Sequence, residues 1–296
     1  MLTIFTTPKA FKGHFAVIQE NAIASWCKLQ PKPQVILLGK GYKVAQFCKK
    51  YRLEHIPEVK TSSRGTPLVS DLFYQAQKNA RFPVVAYVNS DIILLDNFTE
   101  AIRKINLKSY MIMGQRWELE VNRKINFNKN WQKRLAKELR KSGEIKSNKA
   151  VDYFIFPKDL NLNIPPFVIG RFVWDNWFLY QTKKLKIPLI DATGVICAIH
   201  QNHDYSHAGG FKTIWFGKEH QRNLELTPDK RRSFNIANVD WVLTPKGLKR
   251  PKRNLYRYWR TIRVYPVLHP SIGFVILPII LGIQFFIDRF KKLRSK

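Results

Sequence analysis

Asn89-Ser90-Asp91 follows Val84-Val85-Ala86-Tyr87-Val88, the strongest strand-forming run in the chain. A buried strand that ends in a carboxylate must give that charge a partner, because a lone ion there is costly. Asp91 therefore either caps a turn or holds a divalent cation against a diphosphate. A second group lies at Ala198-Ile199-His200-Gln201-Asn202-His203-Asp204-Tyr205-Ser206-His207, three histidines and an aspartate within eight residues after an apolar run. Core packing does not account for all of them. They suit a metal ligand, phosphate-binding donors or a general base, unless they form a polar surface loop. Their spacing matches no zinc motif with four protein ligands.

The third group is Pro165-Pro166-Phe167-Val168-Ile169-Gly170-Arg171-Phe172-Val173-Trp174-Asp175-Asn176-Trp177. Asp175, flanked by Trp174 and Trp177, is placed like a base on the acceptor side of a reaction. Aromatic faces accept the C–H edges of sugar rings, while carboxylate and amide groups such as Asn176 take hydroxyls. The alternative is an aromatic core helix with Asp175 in its first turn, where the helix dipole favours an acid. Ser63-Arg64-Gly65-Thr66 offers a cation and free N–H groups before a helix, which suits phosphate, without any Walker spacing.

These groups need elements to position them. Leu2 to Thr6 reads as a strand, and Phe15, Ile18, Ala22, Ile23, Trp26 and Leu29 follow at helical spacing. Gln34 to Gly39 is a buried-strand run. Val44, Phe47, Cys48 and Tyr51 share a helix face, and His55 to Val59 is a short strand. Thr66-Pro67 reads as a cap and first helical residue, opening a helix through Leu72, Phe73, Ala76 and Ala80. Strands alternating with helices up to residue 95 predict a parallel sheet with crossover helices, which binds ligands at the carboxyl ends of its strands. The second half is less regular. Strands are expected at 110–114, 153–156, 189–192 and 195–199, a charged helix from Trp131 to Lys141 and an aromatic one from Arg171 to Lys183.

The chain has 296 residues, 45% of them apolar, enough for a sizeable core and against disorder or a disulfide scaffold. Its three cysteines, Cys27, Cys48 and Cys197, form no metal signature and suggest a reducing compartment. With 51 Lys and Arg against 21 acids the formal charge is +30, which attracts polyanions: nucleic acid, anionic lipid or phosphorylated ligands. The charge is uneven. Residues 246–296 carry thirteen Lys or Arg and one acid, Asp288. Within them, 24 residues between Arg263 and Asp288 lack any charged side chain, and both flanks are basic. The length suffices for a bilayer core, but Pro266, Pro270 and Pro278 oppose one straight span. Tyr256, Tyr258, Trp259 and Tyr265 sit where an interfacial belt would lie. Membrane association is expected, spanning or interfacial, with a buried C-terminal helix as the alternative. Met1 to Thr6 does not read as a secretory signal.

The sequence resembles glycosyltransferases with the A-type nucleotide-sugar fold. The resemblance runs in order through Thr3 to Lys9, Gly65 to Phe73, Tyr87 to Leu94, Asp152 to Pro157, Ile169 to Trp177 and Ile199 to His207, across roughly residues 1–225. It implies a Rossmann-like, mostly parallel α/β sheet with crossover helices, to which a basic apolar tail is appended. A catalytic domain would cover 1–245, its nucleotide-binding half about 1–115 and its acceptor half about 116–245, with the membrane-associating tail at 246–296. The implied activity moves a sugar from a nucleotide-diphosphate sugar to a saccharide or lipid-linked acceptor hydroxyl. Asn89-Ser90-Asp91 resembles the Asp-x-Asp element that holds Mn2+ or Mg2+ on the donor diphosphate, with Asn89 in place of the first acid. Asp91 and His200 are the implied metal ligands. Phe5, Thr6, Thr7 and Pro8 would border the nucleoside, Arg64, Asn89 and Ser90 the donor, and Trp174, Asn176 and Trp177 the acceptor. Asp175 matches the acceptor-activating carboxylate of inverting members.

The expected setting is the cytoplasmic face of an anionic membrane. Three other readings stand beside it: a basic nucleic-acid or polyanion binder, an inactive scaffold of the same fold, and a nucleotidyltransferase. The nucleotidyltransferase wants a glycine-rich loop after the first strand, which Thr6 to Gly13 lacks. The first finds no nucleic-acid motif, and nucleic acid is the disfavoured partner.

Overall fold

The computed structural model describes residues 1–147, 151–203, 216–227 and 229–294, with side chains up to 285. Asp204 to His207 lie outside the described residues. The strands are β1 (Leu2–Thr6), β2 (Gln34–Leu38), β3 (Glu54–Ile56), β4 (Val84–Val88), β5 (Ile92–Leu94), β6 (Met111–Met113) and β7 (Trp117–Leu119). They continue as β8 (Glu144–Ile145), β9 (Tyr153–Pro157), β10 (Leu189–Asp191), β11 (Ala198–Gln201), β12 (Trp241–Thr244) and β13 (Gly247–Lys249). The α-helices are α1 (Gly13–Trp26), α2 (Val44–Tyr51), α3 (Val69–Asn79), α4 (Asn97–Arg103), α5 (Trp131–Ser142), α6 (Trp174–Lys184), α7 (Lys218–Glu225), α8 (Leu255–Leu268) and α9 (Pro270–Arg294).

A nine-stranded sheet runs in the order β13-β12-β10-β6-β9-β4-β1-β2-β3. Its neighbours are parallel except β9, antiparallel to β4 and β6, and the edge hairpin β12–β13. This is the mostly parallel sheet with crossover helices that the sequence predicts. Both faces are covered, so β1, β2 and most of β4 are buried throughout. Side chains alternate between the faces. Leu2 and Ile4 pack with Ile23 and Trp26 of α1, whereas Phe5 packs with Leu72 and Phe73 of α3 and Phe178 of α6.

A smaller sheet, β5-β11-β7-β8, stands beside the first, with α5 packed on it through Trp131, Leu135 and Leu139. The chain passes from one sheet to the other in four residues. Ile92 N–H donates to the Asn89 carbonyl at 3.1 Å, closing a turn between β4 and β5. Asp91 sits on that turn.

Several boundaries move: β11 is Ala198–Gln201 against the expected 195–199, and α6 starts at Trp174 and not at Arg171. Strand β3 is Glu54–Ile56, earlier than the expected run from His55 to Val59. Helix α3 starts at Val69 and not at Pro67, because Pro67 and Leu68 are engaged in short antiparallel bridges with Thr61 and Val168. Backbone already paired in this way is not available to begin a helix.

The C-terminal segment forms two helices broken at His269, with Pro270 at the first position of α9, where a missing N–H costs nothing. Val264 and Val267 of α8 are buried in the core cluster that contains Trp174, Trp177 and Phe178 of α6. At Gly273 a Cβ would fall 2.6 Å from the Pro266 carbonyl oxygen, so the close approach of α9 to α8 requires glycine. Among the described residues no helix is long and apolar enough to cross a membrane.

Candidate active site

The carboxyl ends of β1, β2 and β4 open into a cleft of about 850 Å³. Three elements converge on its floor. The Asn89–Ile92 turn brings Asp91. Strand β11 pairs His200 with Ile92 on one side and with Glu118 of β7 on the other, so register alone sets His200 beside Asp91. Past the end of β11, His203 turns back to the same carboxylate.

The ligand atoms of Asp91, His200 and His203 all lie within 4.8 Å of one another. His203 Nε2 is 3.1 Å and His200 Nε2 3.9 Å from Asp91 Oδ2. Asp91 Oδ1 and His200 Nδ1 are buried without a hydrogen-bond partner. Such orphaned polar atoms are costly unless something else satisfies them. Burial alone would raise the Asp91 carboxyl, but the His203 hydrogen bond and the charges of His200 and Lys9 outweigh it and hold it well below the usual range. Burial pushes His200 down, against the pull of Asp91. A metal ion would take Asp91 as carboxylate and His200 as neutral imidazole, the form towards which burial already pushes His200.

Helix α1 holds this floor in place. The Gln19 side chain accepts from the Lys9 N–H at 2.7 Å and from the Ser90 hydroxyl at 3.0 Å, and donates to the Lys9 carbonyl at 3.1 Å. Lys9 Nζ lies 4.7 Å from the centre of the Phe15 ring, and burial lowers its pKa while Asp91 opposes the shift. On the other side, the Asn89 side-chain amide donates to Asp152 through its NH2, and its Oδ1 accepts from the Tyr87 hydroxyl at 2.7 Å. Arg116 donates to Asp152 at 2.6 Å and to Glu118 at 3.0 Å.

Asp175 lines the same cleft from the first turn of α6. The residue before that helix is Val173 at φ +94°, a backbone region β-branched side chains avoid. That strained entry turns the chain into the helix within a residue of Trp174, which also lines the cleft. Burial pushes the Asp175 carboxyl up to about 6; the Asn176 N–H, 2.9 Å away, opposes the rise and the charge of Asp152 adds to it. Arg171, which lines the cleft just before α6, is tied by Glu219 of α7, which accepts from Arg171 at 2.8 Å and from Ser62 at 2.7 Å.

The cleft therefore gathers Thr7, Pro8, Asn89, Ser90, Asp91, Trp174, Asp175 and His200. It does not gather the rest of the expected set. Phe5 and Thr6 belong to buried β1, and the cleft begins only where that strand ends. Arg64 is on the exposed tip of its loop. Trp177 points into the core against Phe167, one helical step from Trp174. The Asn176 amide is spent on the Phe234 carbonyl at 2.7 Å. Residues not singled out also line the cleft: Lys9, Arg116, Asp152 and Arg171. Lys9 had a signal, as the first cation past the carboxyl end of β1. His203 joins His200, so both histidines of the pair are in place.

No family model matches the sequence, and no curated protein matches it. The fold is similar to solved nucleotide-sugar transferases. One is S. aureus TarS (1–349) in complex with UDP-GlcNAc, with 13% identity, 90% of this chain and 80% of that chain covered, and a TM-score of 0.45. Another is a mannosyltransferase from Pyrobaculum calidifontis with GDP-Man and Mn2+, with 12% identity, 70% and 59% covered, and a TM-score of 0.43. A third is glucosyl-3-phosphoglycerate synthase from Mycobacterium tuberculosis with Mn2+, UDP and glucosyl-3-phosphoglycerate, with 13% identity, 71% and 75% covered, and a TM-score of 0.42. Likeness at this level carries no chemistry across, so what this chain does is read from its own residues.

Proposed function

We propose that the chain is a cation-assisted glycosyltransferase of the A-type fold, moving a sugar from a nucleotide-diphosphate sugar to an acceptor hydroxyl at the cytoplasmic face of a membrane. The observation that carries this reading is the pairing, in one cleft, of an Asp91–His200–His203 donor set with a carboxyl at Asp175 raised to about 6. The first suits a departing diphosphate and the second an entering hydroxyl.

Asp91, His200 and His203 would hold the cation. One carboxylate and two imidazoles favour Mn2+ over Mg2+, which prefers oxygen alone. When bound, the cation supplies positive charge against the leaving diphosphate. Lys9 adds a second cation beside it, held by Gln19 through its backbone. Asn89 and Asp152, fixed by Arg116, present amide and carboxylate edges between the two ends of the cleft, where the sugar hydroxyls would lie. Asp175 accepts the proton of the acceptor hydroxyl as it attacks, and a pKa near 6 leaves it ionised at neutral pH yet basic enough for the task. Trp174 gives the acceptor an apolar face. The three free cysteines accord with a reducing, cytoplasmic setting.

The test is isothermal titration of the full chain with UDP, GDP and CDP, each with Mn2+ and with EDTA. Micromolar, Mn2+-dependent binding of one nucleotide, lost in Asp91→Ala, is expected. Absence of binding to every nucleotide by a folded chain would overturn the reading and favour a scaffold or a polyanion binder.

A further inference from the structure

Between Ile272 and Phe285 of α9 the one polar side chain is Gln284. Gly273 and Ile280 are buried and Ile276 and Leu277 half-buried, which defines a single covered seam. The rest of the helix surface is open: Phe274 is 85% exposed, Val275 69% and Ile279 63%, with Ile272 and Leu281 also exposed. A helix that meets water on one side keeps an apolar stripe; one that is apolar all round belongs in a protein interior or in lipid.

Charge separates those two. Seven Lys or Arg and no acid lie between Lys249 and Arg263, and five more follow from Arg289 onward with Asp288 as the lone acid. A second copy of this chain would bring like charges together around the same apolar face. An anionic bilayer satisfies both features at once. Helix α8 is already fixed to the domain: Arg260 donates to Asn238 at 2.7 Å and Arg257 to the Ala237 carbonyl at 3.3 Å. Its Tyr256 and Tyr258 stay half exposed, as residues at headgroup level do.

We infer that α9 embeds in one leaflet of an anionic bilayer, with α8 along the headgroups and both basic ends on the same side. The inference also bears on the acceptor, and there it rests on the transferase reading. Val264 and Val267 of α8 pack in one cluster with Trp174 and Phe178, and the Tyr180 hydroxyl reaches the Val267 carbonyl at 3.4 Å. The embedded hairpin is thus seated on α6, the helix that carries Asp175. An acceptor hydroxyl on a lipid-linked molecule of the same leaflet is the class this seating fits.

The experiment is flotation of the full chain with phosphatidylcholine vesicles, with and without phosphatidylglycerol as the anionic lipid, beside a Phe274→Ser, Val275→Ser, Ile279→Ser triple variant. All three side chains are exposed, so the variant keeps its core. Mn2+-dependent nucleotide binding is read on the same samples. Wild type is expected to bind anionic vesicles at least tenfold better than neutral ones, and the variant to lose at least tenfold with nucleotide binding unchanged. Wild type that stays in the aqueous fraction, or a variant that binds equally well, would overturn the inference. So would a lipid-independent dimer that the variant dissociates while neither protein floats, since a second copy then covers the face. Vesicle binding without nucleotide binding would uphold the anchor and overturn the acceptor assignment with the transferase reading.

Discussion

The side-chain amide of Asn89 donates to Asp152 across the β4–β9 pair, while Arg116 closes on the other oxygen of that carboxylate. Asn89 is the position where the resemblance leads one to expect an acid. Here the acid is present in space, 63 residues further along the chain, and the amide is its donor. Asn89→Asp would therefore set two carboxylates against each other and leave Asp152 one donor short. We expect a loss of about 1–3 kcal/mol in stability and no gain in Mn2+ affinity, read by thermal unfolding and titration. A tighter, more stable variant would show that the position wants a carboxylate.

Removing one imidazole at a time distinguishes two shared ligands from one. His200→Gln and His203→Gln should each weaken Mn2+-dependent nucleotide binding by at least roughly ten- to a hundredfold, the scale of losing even an outer-shell partner of a ligand. Both are buried or nearly so beside Asp91. A variant that binds as wild type would drop out of the ligand set.

Asp175 gives a pH signature of known sign. Its carboxyl is pushed up to about 6 and acts as a base only when ionised, so turnover at saturating donor should climb with pH below about 6 and level off above it. Stability runs the other way. Between its unfolded and folded values the native state holds the extra proton, so stability falls as pH rises through that window. Asp175→Asn should abolish turnover, leave nucleotide binding intact and flatten this part of the stability profile. Retained turnover would move the base elsewhere.

Lys9→Met tests the second cation. The neighbouring Phe15 ring and the Gln19 clamp on the Lys9 backbone remain, so the variant should fold. A nucleoside diphosphate should bind roughly ten- to a hundredfold more weakly, as for loss of one charge-assisted hydrogen bond. The free nucleoside should be unaffected. Equal losses for both ligands would mean that Lys9 shapes the loop and does not meet phosphate.

What the sequence shows plainly is whatever local pattern encodes. The β-rich run ending at Asp91 and the helical spacing after Thr6 place the sheet and the mouth of the cleft without any knowledge of long-range pairing. Pairing is what decides the rest. His200 and His203 stand equal in sequence, and only the alignment of β11 against β5 and β7 shows that both meet Asp91. Trp174 and Trp177 look alike and both are buried in one core cluster, yet only Trp174 also reaches the wall of the cleft. Phe5 and Thr6 stand in one stretch with Thr7 and Pro8, but a fully paired strand keeps its side chains in the sheet layers and only the residues past its end reach the cleft. Asp152 and Arg116 are far apart along the chain and acquire meaning from each other. A charged residue at the head of the apolar run Tyr153 to Phe156 was the available hint.

The alignment of His200 with Ile92 and Glu118 also determines how this site can be broken. Successive residues of β11 face opposite ways, so a one-residue slip in its register against β5 and β7, as an insertion or deletion within the strand would cause, would turn the histidine from the cleft to the packed side and bring Ile199 or Gln201 to the cleft in its place. Every ligand would still be spelled in the gene, and the protein would still have its sheets. Inheritance of this site thus depends on the register of one short strand as much as on the identity of three side chains. A comparison of natural variants by composition alone would miss the loss.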